Sequence, residues 1–132
     1  MKRVLIVEDE PALLLLYQME FEAEGYQVMT AANAAQTLQR LKAEKADIVI
    51  LDIGLPGKSG VELLREIVDS RHNLPVIINT AYGFYREDFA TWGAEAFLVK
   101  SGDLTELKET VARLAGVDNP SPDKKIDAFM VI

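Results

Sequence analysis

An α/β domain with a parallel five-stranded sheet and helices on both faces is what this chain predicts, from three observations. Five short apolar runs, at about 3–7, 26–31, 47–51, 75–79 and 95–99, alternate with amphipathic stretches at about 11–24, 34–44, 60–70, 84–92 and 103–115. Strict strand–helix alternation is the pattern of a parallel sheet covered by helices. The runs are rich in β-branched residues and apolar throughout, as in Val4-Leu5-Ile6-Val7 and Ile48-Val49-Ile50-Leu51, which suits strands buried on both faces. Several then end on a polar or charged residue, at the carboxyl edge where open α/β sheets bind ligands.

Each element has local support. The first strand, Arg3 to Val7, drives into Glu8-Asp9, and Pro11 suits the first turn of the helix that follows. Within that helix Leu13, Leu16, Tyr17 and Phe21 share a face at helical spacing and are expected on the sheet; Leu15 and Met19 lie on the opposite face, where polar residues are the rule. Gly25 stands where a C-terminal cap belongs. The third strand ends at Asp52 and a turn rich in Gly and Pro, Ile53-Gly54-Leu55-Pro56-Gly57-Lys58-Ser59-Gly60. The fourth runs through Asn79 into Thr80-Ala81, and the fifth into Lys100. Asp103 and Glu106 have capping-box spacing for the last helix. Right-handed crossovers leave few ways to connect these pieces. After Gly116, Asp118-Asn119-Pro120-Ser121-Pro122-Asp123 breaks the helical pattern, so 1–116 is expected to form the domain and 117–132 a linker or C-terminal tail that ends in the apolar run 126–132.

With 132 residues the chain fits one domain. A net charge of −7 argues against direct nucleic-acid binding, which demands basic patches. No apolar run has the length of a membrane span, the first residues lack a signal-peptide plan, and there is no cysteine for disulfide or thiolate chemistry. A cytoplasmic location is the expectation.

Two adjacent strands ending in Glu8-Asp9 and Asp52 bring three carboxylates into one pocket. Clustered carboxylates repel, so protonation or a cation must compensate them. All-oxygen ligands suit a hard ion such as Mg²⁺, which offsets charge on a phosphoryl group, and a strand-end carboxylate can itself attack phosphorus. Thr80 offers a hydroxyl and Lys100 an ammonium for phosphoryl oxygens. Singly, an acid after a strand reads as a helix cap, the Thr as a turn residue and the Lys as a solvated charge. Four suitable groups at four strand ends read as a site.

These residues are those by which the chain resembles the receiver domain of two-component response regulators, over roughly 1–116: Glu8-Asp9, Asp52 in Asp-x-x-Leu-Pro-x-x-x-Gly, Thr80-Ala81, and Phe97 three residues before Lys100. The resemblance implies a single flavodoxin-like (βα)5 domain with strand order 2-1-3-4-5. It implies that Asp52 is the phosphoacceptor, that Asp9 binds Mg²⁺ directly, Glu8 through water and Gly54 through its carbonyl, and that Thr80 and Lys100 hold phosphoryl oxygens. Thr80 and Phe97 would form the switch that reshapes the surface of 84–92, 95–99 and 103–115. The donor would be a histidine kinase or histidine phosphotransfer protein, docking where Leu15 and Met19 are exposed. A downstream protein target, a monomer or weak dimer, and no turnover beyond the domain's own phosphotransfer and dephosphorylation complete the expectation. His72, the only histidine, reads as a solvated loop residue.

The chain departs from the family pattern in places. Ser101 stands where proline joined by a cis peptide is usual, and a cis bond without proline costs about 2.5–4 kcal/mol, so trans geometry or visible strain is expected. Gly54 and Tyr82, each two residues past a key group, flank the phosphoryl site in such proteins; a bare Gly54 frees water, while Tyr82 covers the opposite side. Phe97 reports by packing, without a hydroxyl. These departures motivate an alternative, a non-switching receiver-like interaction module. A third, an aspartyl phosphatase, lacks a second acid at position 54.

Overall fold

The structure, a computed structural model, describes residues 1–55, 60–83 and 93–117. The expected helix 84–92 with Trp92, the turn residues 56–59 and the tail 118–132 lie outside the described residues.

Strands β1 (Arg3–Val7), β2 (Gln27–Ala31), β3 (Ile48–Leu51), β4 (Val76–Thr80) and β5 (Ala96–Val99) form one sheet in the order β2-β1-β3-β4-β5, every pair parallel. The described helices are α1 (Pro11–Ala23), α2 (Ala34–Ala43), α3 (Gly60–Ser70) and α4 (Thr105–Ala115). The strand boundaries differ from the expected ones by a residue at several ends. At β4 the shift matters, because Thr80 is the last residue of the strand and not the first of the loop.

Side-chain alternation splits the core in two. Leu5, Val7, Val49, Leu51, Val76, Ile78 and Phe97 pack with Leu41, Leu63, Leu64 and Ile67 of α2 and α3. Val4, Ile6, Ile48, Ile50, Ile77 and Leu98 pack with Tyr17, Phe21, Leu107 and Val111 of α1 and α4. Both layers are predominantly apolar, so a one-residue slip in any inner strand would exchange its two layers.

Several caps explain where helices begin and end. Asn33 accepts from the Gln36 N–H at 2.9 Å, and the Gln36 side chain accepts from the Ala32 N–H at 2.7 Å, a reciprocal cap at the start of α2. The spacing at Asp103 and Glu106 predicts such a box for the last helix, but α4 starts at Thr105. Asp103 accepts from the Thr105 N–H at 2.9 Å, and Ser101 Oγ accepts from the Asp103 N–H at 3.1 Å. Gly25 follows the last turn of α1 at φ +97°, a conformation that favours glycine.

Helix α1 corrects one expectation. Tyr17 and Phe21 are buried and Leu13 is partly so, but Leu16 is 43 % exposed, beside Leu15 at 56 % and Met19 at 59 %. Leu14 takes its place against the core. The run Leu13-Leu14-Leu15-Leu16 is apolar on every side, so spacing alone does not say which leucines face in. The outer stripe is therefore wider than Leu15 and Met19.

Candidate phosphoryl-acceptor site

The parallel ladder continues past the strand ends and carries the site with it. Glu8 N–H donates to Ala31 O (3.0 Å), Asp52 N–H to Val7 O (3.1 Å) and Lys100 N–H to Thr80 O (2.8 Å). Backbone hydrogen bonding to a neighbouring strand thus fixes the Cα of each chemically active residue before its side chain is considered.

Carboxylate oxygens of Glu8, Asp9 and Asp52 lie within 4.8 Å of one another, with Glu8 and Asp52 buried and Asp9 exposed. Lys100 Nζ reaches across them, 2.7 Å from Glu8 Oε1 and 2.8 Å from Asp52 Oδ2. Gly54 N–H donates to the other Asp52 oxygen, Oδ1, at 2.9 Å, and Glu10 N–H to Glu8 Oε2 at 3.2 Å. Burial holds the Glu8 carboxyl above the usual glutamate range, against the lowering pull of Lys100 and the Glu10 amide. Burial also works against the Lys100 ammonium, but the hydrogen bonds to Asp52 and Glu8 outweigh it and its pKa rises. Three formal negative charges thus face one ammonium in a partly buried pocket, an imbalance that a divalent cation would relieve. The donor set is all oxygen, and it fits Mg²⁺.

Thr80 is fully buried, and its Oγ1 accepts from the Tyr82 N–H at 3.3 Å. Phe97 is buried on the α3 side of the sheet, paired in register with Ile78, two pairs before Thr80 and Val99 and so on the same face as Thr80. Leu15 and Met19 stand apart from this cluster, on the outer face of α1. His72 is exposed in the loop before β4. No cis peptide occurs among the described residues, so the Lys100–Ser101 bond is trans.

Two relationships escape the sequence. A Cβ built on Gly54 would fall 2.6 Å from Tyr82 Cε2, so the Tyr82 ring stands directly against Gly54. The expectation that they guard opposite sides is corrected: the ring fills the space that the glycine leaves. On the other face of β4, Asn79 Nδ2 donates to the Tyr17 hydroxyl at 3.1 Å, a buried bond between residues 62 positions apart. A polar residue at the end of an apolar strand, on the same face as Ile77, was the available signal for it.

The response regulator receiver domain model matches residues 4–112. The chain belongs to that family. It is 34 % identical over 114 residues to sporulation initiation phosphotransferase F of Bacillus subtilis, covering 85 % of this chain and 92 % of that protein. It is 34 % identical to the transcriptional regulatory protein GlrR of Escherichia coli, but spans 28 % of that longer protein. Among solved structures, the response regulator TrrA of Thermotoga maritima in complex with Mg²⁺ and BeF is 42 % identical with a TM-score of 0.82, covering 86 % of this chain and 99 % of that one. A complex of the histidine kinase ThkA with TrrA superposes with a TM-score of 0.80 at 42 % identity, covering 86 % of this chain and 98 % of that one. The receiver assignment agrees with the strand order and with the acidic pocket. Among the described residues, no helix is long and apolar enough to cross a membrane.

Proposed function

We propose that this receiver accepts a phosphoryl group on Asp52 from a phosphohistidine of a histidine kinase or phosphotransfer protein. The P–N bond to the donor imidazole breaks as an Asp52 oxygen bonds to phosphorus, and the imidazole takes up a proton. The observation that carries this reading is the buried Asp52 carboxylate, clustered with those of Glu8 and Asp9 and bonded to Lys100, which also reaches Glu8. Held by Asp9, Asp52, the Gly54 carbonyl and, through water, Glu8, Mg²⁺ would offset charge on the transferring oxygens. Lys100, already bonded to Asp52 Oδ2, moves with the new charge onto a phosphoryl oxygen. Thr80 exchanges the Tyr82 amide for a second phosphoryl oxygen, and Phe97 repacks into the space that Thr80 vacates. The Leu15, Leu16 and Met19 stripe of α1 is the partner-docking face, because an exposed apolar stripe on an otherwise complete domain marks a contact surface.

The receiver unit runs to about residue 116, with 117–132 as linker or tail, and the aspartyl phosphate is lost by hydrolysis that the domain itself supports. Incubation with Mg²⁺ and a small acyl phosphate, followed by intact mass, tests the reading. One added phosphoryl mass on the wild type, none on Asp52→Asn and none with a chelator is the expected result. No addition to the wild type would make the chain a non-switching interaction module.

A further inference from the structure

The outer face of α1 is more than two residues wide. Ala12, Leu15, Leu16, Met19 and Ala23 recur at helical spacing, all exposed. The described chain leaves the domain beside this helix: Val117 packs against the α1 and α4 layer and lines a surface hollow with Glu24, Gly25 and Tyr26 at the end of α1. From that point, residues 118–125 supply eight positions before the apolar run Ile126-Asp127-Ala128-Phe129-Met130-Val131-Ile132. Eight residues reach up to about 26 Å when extended. The length of α1 from Glu24 back to Leu15 is only about 14 Å. The tail thus reaches the whole stripe.

Charge agrees with reach. Helix α1 carries no basic residue, while Glu20, Glu22 and Glu24 crowd its last turns. Lys108 of α4 pairs with Glu20 at 2.7 Å and with Glu24 at 3.6 Å, whereas Glu22 accepts from the neutral Gln18 amide at 3.5 Å. Immediately before the apolar run stand Lys124 and Lys125. They would come alongside this acidic end as Phe129, Met130 and their neighbours meet Met19 and Leu15.

We infer that residues 126–132 of this chain dock on the outer stripe of its own α1, with Lys124 and Lys125 against the acidic end of that helix. Where α1 is also the partner-docking face, a point that rests on the function proposed above, the tail competes with the phosphodonor and must be displaced for transfer. The docking itself requires no phosphorylation, so its failure and the failure of that function are separable.

Because the chain has no cysteine, Val131→Cys creates a unique thiol for a nitroxide. In the isotope-labelled 132-residue chain the amide signals of Leu15, Leu16 and Met19 are expected to lose at least half their intensity, relative to the reduced label, while those of α2 and α3 keep theirs. Phe129→Glu with Met130→Glu, both outside the domain core, should restore the α1 signals. Undiminished α1 signals with the label oxidised would overturn the inference. So would equal loss when an unlabelled, nitroxide-bearing protein is mixed with isotope-labelled wild type, since the tail would then be covering a second copy.

Discussion

Tyr82 lies against Gly54 so closely that a single added carbon at position 54 would collide with its ring. The two residues come from loops after different strands, and Gly54 borders Asp52, whose Oδ1 accepts from the Gly54 amide. The ring is half-exposed and rests on the residue whose amide holds Asp52, so it is expected to act as a lid that restricts water at that carboxylate. Excluding water is what lengthens the life of an acyl phosphate.

Removing that lid is expected to speed loss of the phosphoryl group. Tyr82→Ala should shorten the lifetime on the order of tenfold, equivalent to about 1.4 kcal/mol of barrier. Gly54→Ala should act in the same direction by pushing the ring aside, and the double variant should add little to Tyr82→Ala alone. Decay followed by intact mass after donor removal measures all three. Fully additive effects would show that the ring and the glycine act separately.

Gly60 is demanded by packing rather than by a turn. A Cβ there would overlap the backbone of Ile53, so the start of α3 can approach the loop after Asp52 only as glycine. Gly60→Ala is expected to cost about 2 kcal/mol or more through overpacking. Urea unfolding of the unphosphorylated protein checks it, and a change within a few tenths of a kcal/mol would mean that the helix shifts freely.

The Tyr17–Asn79 bond predicts an asymmetric cycle. Tyr17→Phe leaves a buried amide without its partner and should cost about 1–3 kcal/mol. Asn79→Leu in the Tyr17→Phe background should recover much of that loss, because an apolar pair needs no hydrogen bond. Chemical denaturation of Tyr17→Phe, Asn79→Leu and the double variant gives the coupling. Strict additivity would refute it.

Burial raises the Glu8 pKa, so native Glu8 keeps its proton to higher pH than the unfolded residue does. From the ordinary value of 4.5 upward to the native one, the folded chain binds the extra proton, and this group's contribution to stability falls as pH rises. Lys100 acts at the other extreme. Its raised pKa gives stability that is complete below 10.5 and is lost as pH climbs through the higher native value. Unfolding midpoints measured from pH 4 to 11 should show the acid-side decline in the wild type and its absence in Glu8→Gln. Identical profiles would sink the assignment.

The strands were legible because apolar runs bounded by polar residues have few other readings, and their carboxyl ends named Glu8, Asp9, Asp52, Thr80 and Lys100 directly. What spacing could not supply was orientation around α1, where four consecutive leucines erase the helical period and Leu16 turns outward. Nor could it supply contacts set by loop shape or by the way two helices lie together. Tyr82 meets Gly54 across two loops, and Lys108 joins Glu20 over 88 positions. The cap at Asn33 and Gln36 was as visible as the one expected at Asp103, but residue types alone do not say which pair closes.

Thr80 and Asn79 are neighbours in the chain and point into different layers, one toward Phe97 and the other bonded to Tyr17. In the proposed switch, a tug on the threonine hydroxyl would act on a peptide unit shared by both sides of the molecule. News from the acceptor carboxylate would then have two exits, through the aromatic packing beside α3 and through a phenol anchored in the helix that faces the outside world.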